Sequence, residues 1–161
     1  ADPGMVDVAR RHGAGVVLMH MQGTPRTMQA EPRYDDVVEE VTRYLAGRLQ
    51  ALTEAGLDLS RVAVDPGLGF GKTVEHNVGL LRGLPRLLRL GRPVLVGASR
   101  KSFLGQLTGR EVNDRLAPSL AALAFAVQQG AQLLRVHDVK ESCEVVQLLA
   151  KFGVPTEPPI A

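Results

Sequence analysis

Tryptophan is missing from this 161-residue chain, and aromatic residues in all make up only 4%. That leaves little material for a base-stacking platform. The 19 basic residues are nearly balanced by 17 acids and are spread along the chain, so no nucleic-acid partner is expected. A single cysteine, Cys143, excludes an internal disulfide framework and fits a reducing compartment, so we expect a cytoplasmic protein. Cys143 itself reads as a small buried hydrophobe on the last helix. No apolar run approaches the roughly 18–20 residues of a membrane span, and the N-terminus has no basic, apolar, small-residue signal pattern, so no membrane partner is expected. His12, His20 and His76 lie far apart and form no His-Glu-x-x-His or Cys-x-x-Cys set, which argues against structural zinc. Lysine is scarce, 4 residues against 15 Arg, and two of the four, Lys72 and Lys101, fall in glycine-bearing loops.

What is present is a rhythm. Hydrophobic residues are 45% and charged residues 22% of the chain, the balance of one globular domain. Four short aliphatic runs, 16–19, 62–64, 94–96 and 133–136, begin 46, 32 and 39 residues apart, the size of a βα unit rather than of a hairpin. Each is apolar on both parities, as strands buried on both faces of a parallel sheet should be. Helical periodicity follows each run. The clearest begins near Tyr34-Asp35-Asp36 and carries Val37, Val38, Val41, Leu45, Leu49 and Leu52 to a stop at Gly56. A second spans Glu75 to Leu90, with Pro85 starting a turn or kinking it. A third covers Asn113 to Gln129, and a fourth runs from Ser142 to Phe152, ended by Gly153 and Pro155. Asp2-Pro3 reads as the cap and first position of one more short helix before the first strand.

The order is therefore one helix, then four βα units. This suggests a small doubly wound sheet or half of a (β/α)8 barrel, since a full barrel needs about 250 residues. The chain opens on a helix with no preceding strand and no initiator Met, so we expect a piece of a longer protein.

In parallel α/β folds the ligand lies beyond the C-terminal ends of the strands. Polar, charged and glycine residues gather at those four places: His20–Pro25, Asp65–Thr73, Gly97–Ser102 and Arg135–Asp138. The second stretch is not a phosphate-binding loop, because that loop has four residues between its first Gly and the Gly-Lys-Thr, and counting back from Gly71-Lys72-Thr73 the place falls on Pro66 rather than Gly. Its glycines at 67, 69 and 71 also miss the dinucleotide fingerprint. Asp65 ends a buried strand and is either a turn or cap residue or a carboxylate aimed into a pocket, able to accept two N–H bonds from a flat amidine-like edge. Lys101 is either a surface lysine or a ligand contact, the latter favoured by Gly97-Ala98 letting the chain approach closely. Ser99 and Lys101 do not have the Ser-x-x-Lys spacing of acylating enzymes. Arg135 and His137 alternate about Val136 and share one side, suited to a phosphate or diphosphate; the alternative is an internal salt bridge to Asp138 or Asp65. Met19, Met21 and Met28 read as pocket lining or core.

Four segments together resemble dihydropteroate synthase: Leu18-Met-His-Met-Gln-Gly-Thr-Pro with Thr27-Met-Gln, Asp65-Pro-Gly-Leu-Gly-Phe-Gly-Lys, Val96-Gly-Ala-Ser-Arg-Lys-Ser and Arg135-Val-His-Asp-Val-Lys-Glu. They stand in that family's order and spacing and cover essentially the whole chain. The resemblance implies an α/β fold, a (β/α)8 TIM barrel of which this chain is the C-terminal half, from the fourth helix through the eighth βα unit. Residues 1–161 would then form half of a single pterin-binding domain whose N-terminal half is absent from this chain. It implies a transferase of folate biosynthesis and a sulfonamide target, condensing (7,8-dihydropterin-6-yl)methyl diphosphate with p-aminobenzoate. By the same resemblance Asp65, Lys101, Met19, Phe70 and Gly97 bind the pterin, and Ser99, Phe70 and Lys101 the p-aminobenzoate. Arg135, Val136 and His137 hold the diphosphate, with Lys101, Arg135 and His137 the catalytic set. Magnesium is expected with its ligands in the missing half and none in this chain. A homodimer through the last helices is expected, and this fragment alone is expected to be inactive. Rival readings are a related barrel, such as a pterin- or corrinoid-linked methyltransferase using methyltetrahydrofolate, and a non-catalytic homologue. The Ser-Arg-Lys-Ser and Arg-Val-His runs favour the synthase.

Overall fold

A computed structural model describes residues 4–154. Its elements run α1 (Met5–Arg11), β1 (Val16–Met19), α2 (Val37–Glu54), β2 (Val62–Asp65), α3 (Val74–Arg82), α4 (Leu84–Leu88), β3 (Leu95–Val96), α5 (Ser102–Thr108), α6 (Leu116–Gln128), β4 (Leu133–Leu134) and α7 (Val139–Lys151). The residues read as the cap of the first helix, Asp2 and Pro3, lie outside the described residues, as does Pro155.

The four strands pair in parallel and in sequence order. β1 aligns Val16 with Val62 and Met19 with Asp65, Val64 bridges to Val94, and β3 aligns Leu95 with Leu133. Among the described strands this order has no reversal, which a doubly wound sheet built from these four alone would have.

The core lies between the strands and the helices. Helix α2 starts where the Asp36 side chain accepts from the Val38 and Glu39 amides, both at 2.9 Å, and it turns Val38, Val41, Leu45, Leu49 and Leu52 inward. These meet Val62, Val64, Leu80, Leu84, Leu87 and Val94. Each fully buried Leu or Val contributes about 1.5–3 kcal/mol relative to an exposed one.

Several expectations need correction. The helix expected over 75–90 divides into α3 and α4 at Gly83, next to Pro85, where a turn or kink is expected. A Cβ at Gly83 would stand 2.6 Å from both Val38 methyls, so α2 fixes a glycine there, and Pro85 then opens the next helix. Helix α5 was not anticipated at all. It is only seven residues long and ends at Gly109 in the left-handed region at φ 68°, too short a period to register in the sequence. Helix α6 begins at Leu116, after a 3-10 turn over Val112–Asp114, and α7 begins at Val139 rather than Ser142. Cys143 is exposed, not buried.

Burial on both strand faces holds for β2, which has a strand on either side. On β1, Val16 and Leu18 pack into the core, but Val17 is 49% and Met19 37% exposed, and on β4 Leu133 is 42% exposed. As outer strands, β1 and β4 each have one neighbour among the described residues, and nothing there covers their second face.

Candidate active site

The charged residues singled out in the sequence come together at the C-terminal ends of the strands. Register puts Met19 beside Asp65, while Arg135 follows β4 with its amide donating to the Val96 carbonyl at 3.0 Å. Gly97 faces Arg135: a Cβ there would sit 3.6 Å from the Arg135 Cβ. By strand alternation Val17, Met19, Ala63, Asp65, Leu95, Gly97, Leu133 and Arg135 occupy the face turned away from the helices.

The loop after β2 is fixed from within. One Asp65 carboxylate oxygen accepts from the Gly67 amide at 2.7 Å, so this residue does make the expected turn, but its second oxygen has no hydrogen-bond partner among the described residues. Gly67 has φ 70°, and a Cβ there would lie 1.8 Å from the His20 carbonyl oxygen, so β1 and this loop touch backbone to backbone. Asn77, buried in α3, accepts from the Gly69 amide at 2.6 Å and donates to the Thr73 carbonyl at 2.6 Å. Thr73 caps α3 in a capping box in which His76 takes the place usual for Glu or Gln.

Two lysines stand on either side of this loop. Lys101 lies over the Phe70 ring, Nζ 4.5 Å from the centroid, and donates to the Leu68 carbonyl. Lys72 is turned inward, only 4% exposed, with Nζ donating to the Phe70 carbonyl at 2.9 Å and lying 3.0 Å from Nδ1 of His20.

Burial dominates the electrostatics. It pushes the Asp65 carboxyl up, against the Gly67 hydrogen bond and the charges of Lys101, Lys72 and Arg135. It lowers Lys101 to about 8 and Lys72 to about 7, with Asp65 opposing both shifts. Burial, reinforced by Lys72, lowers His20 to about 4, so the imidazole is neutral at neutral pH, and its Nδ1 can accept from Lys72 Nζ whenever the lysine is protonated. Three basic side chains thus act on one carboxylate, and among the described residues none of them forms an ion pair with it.

The other end of the site is more open. Arg135 and His137 are both exposed, and the Arg135 guanidinium has no hydrogen bond or ion pair among the described residues. The internal salt bridge weighed in the sequence is therefore not formed: Asp138 is bonded by Arg100 instead, and Asp65 by none. Val136 turns the opposite way and packs with Leu123, Val127 and Leu149, leaving only its backbone to the site. Ser99 is buried, and its Oγ accepts from the His137 amide at 3.2 Å and lies 3.0 Å from Nδ1 of the same residue. That distance suits a nucleophile–base pair, but no carboxylate orients the imidazole, because Asp138 is engaged elsewhere.

Among the described residues no three His, Cys, Asp or Glu side chains gather closely enough to hold a metal ion. Lys72, His20, Asn77, Arg100 and Asp138 are structural parts of the site that the sequence reading did not assign. Lys72 carried a signal as one of few lysines in a glycine-bearing loop, and His20, Arg100 and Asp138 as polar residues after a strand; Asn77, inside a helix, carried none.

A family model described as pterin binding enzyme matches residues 1–137. The dihydropteroate synthase of Escherichia coli is 44% identical over 149 residues, covering 92% of this chain and 53% of its own length. Among solved structures, the Yersinia pestis dihydropteroate synthase in complex with a sulfonamide drug superposes with a TM-score of 0.91 at 40% identity, over 94% of this chain and 56% of that one. The Xanthomonas albilineans dihydropteroate synthase in complex with 7,8-dihydropteroate gives 0.88 at 46% identity, over 96% and 56%. The chain spans about half the length of the curated relatives it matches.

Proposed function

The chain belongs to the family of pterin-binding enzymes, and on that premise we propose that it is the C-terminal half of a (β/α)8 barrel that makes dihydropteroate. The half barrel comprises the fourth helix and the fifth to eighth βα units. The complete protein joins (7,8-dihydropterin-6-yl)methyl diphosphate to p-aminobenzoate and releases diphosphate. The observation that carries this reading is a single face on which a half-buried carboxylate, Asp65, stands near Lys101 and Arg135, its second oxygen without a hydrogen-bond partner among the described residues. A flat ring edge with paired N–H groups meets such a carboxylate, and a diphosphate meets Arg135. Sequential parallel strands, the uncovered face of Val17, Met19 and Leu133, and a span of about half the relatives' length all support the half-barrel assignment.

In this reading Asp65 accepts from the amino-pyrimidine edge of the pterin, and Met19, Phe70 and Gly97 line the ring. Lys101, held over Phe70, hydrogen-bonds the pterin and borders the p-aminobenzoate, which Phe70 and Ser99 complete. The C–O bond at the exocyclic methylene breaks with its electron pair passing to diphosphate, and positive charge develops on the pterin. Arg135, the Val136 backbone and His137 stabilise the departing diphosphate. The arylamine nitrogen then bonds to the methylene and loses a proton. No protein nucleophile is needed. Magnesium enters the proposal as a group held by the other half of the protein; the described residues lack a ligand set for it, and no step here runs through it.

A homodimer through the last helices belongs to the same proposal, supported by Leu148 and Phe152, exposed one helical turn apart on and just after α7. Cytoplasmic placement belongs to it as well; no described helix is long and apolar enough to cross a membrane.

The test is turnover. The complete protein supplied with both substrates should form dihydropteroate and release diphosphate in equal amounts, while residues 1–161 alone should form none. Absence of product from the complete protein would remove the functional reading, and product from the fragment would remove the half-barrel reading.

A further inference from the structure

Arg135 and His137 sit at the end of the outermost strand, where little backbone pairing holds them. β4 pairs with β3 over two residues, and beyond that only the Arg135 amide bond to the Val96 carbonyl and the Ser99–His137 contacts continue the register. One side-chain pair supplies what the strand lacks. Arg100, between Ser99 and Lys101, reaches across to Asp138, the residue after His137. Its Nε lies 3.1 Å from Oδ2, and its Nη2 donates to Oδ1, so the fork is bidentate. The Asp138 side chain is 16% exposed, and the Arg100 hydrogen bond holds its carboxyl well below the usual carboxylate range.

Arg100 is also held at its own backbone. Among the described residues it alone, apart from glycines, has positive φ, at 57°. A side-chain-bearing residue stays there only when its surroundings over-determine it. Its amide donates to Ser119 Oγ at 2.9 Å, and its carbonyl accepts from Arg115 Nη1 at 3.1 Å. Those two bonds, from the start of α6 and the residue before it, fix the turn that carries the guanidinium.

We infer that the Arg100–Asp138 pair is a positioning clasp that holds the Arg135–His137 segment against the Ser99–Lys101 loop and so sets the spacing of the anion-binding end of the site. This rests on the reading of Arg135 and His137 as the diphosphate site. Arg100 and Asp138 act through those residues and touch no reacting group.

The experiment is calorimetric titration of the complete protein with two probes, inorganic diphosphate and a dihydropterin lacking the diphosphate. Wild type is compared with Arg100→Ala, Asp138→Asn, Arg100→Lys and the Ala/Asn double variant. Both single disruptions should weaken diphosphate about tenfold and leave the dihydropterin within about twofold, because only one end of the site is misplaced. Arg100→Lys should recover part of the loss, since it keeps the charge and loses the fork. The double variant should bind diphosphate no worse than either single one, as members of one interaction do. Unchanged diphosphate affinity in both single variants would overturn the clasp, and so would an equal loss of both probes, which signals general loosening. Wild type that binds no diphosphate would instead remove the anion-site reading itself, before any variant is compared.

Discussion

At the end of β2, Asp65 stands in a loop closed by its own amides, packed backbone to backbone on β1 and bordered by a lysine that is 4% exposed. At the end of β4, Arg135 and His137 are exposed, follow a two-residue strand, and depend on side chains of the neighbouring loop for their place. On the function proposed above, the difference follows from what each end would recognise. Hydrogen bonding to a flat heterocycle needs a fixed, desolvated carboxylate, because bond direction and exclusion of water decide its strength. A multiply charged diphosphate is attracted over longer distances and tolerates a wetter site, provided the cations keep their spacing.

Changes at the rigid end should therefore cost most. Gly67→Ala forces a side chain onto the His20 carbonyl at positive φ and should destabilise the fold by about 4 kcal/mol or prevent folding, read by urea unfolding. A loss under about 1 kcal/mol would mean that β1 and the loop can separate freely. Asp65→Ala should weaken the free dihydropterin about a hundredfold, from the loss of two charge-assisted hydrogen bonds. Equal binding by variant and wild type would show the pterin pocket to be misassigned.

At the open end, Arg135→Ala should weaken inorganic diphosphate about tenfold and the free dihydropterin by less than about twofold. If the two probes fell together, the ends would be one unit and the comparison would fail.

The smallest effect concerns pH. Lys72 has a folded value of about 7, below its unfolded value, so between those values the unfolded chain binds more protons and stability rises with pH. The gain between pH 7 and 8 should be about 1 kcal/mol from Lys72, and Lys72→Met should flatten most of it. His20, at about 4, gives the same sign below neutrality: stability is lost as pH falls from 6.5 toward 4. A slope that Lys72→Met leaves unchanged would assign the effect to Lys101 instead.

Much of this was readable from residues alone where a local rule was strong. The stripe from Val38 to Leu52 with Asp36 ahead of it gave α2 nearly to the residue, and the residues after each aliphatic run are those that converge. Reading failed where a distant contact decided. Gly83 must be glycine because Val38 leaves no room for a side chain there, and α5 is too short for its period to show. The outer strands look buried from their composition, but each has only one neighbour here. Lys72 and Lys101 are alike in sequence, both lysines of glycine-bearing loops, yet one turns into the interior and the other lies over Phe70.

By itself the sequence determined the βα rhythm, the four loops that carry chemistry and the family these segments resemble, because periodicity, caps and motif spacing are local properties of the chain. Only the tertiary structure decided that Asp138 answers Arg100 rather than Arg135, that His20 and Lys72 meet in the interior, and that the strands run in unbroken order. Each of those depends on which groups become neighbours once water is excluded, and no sequence spacing encodes that.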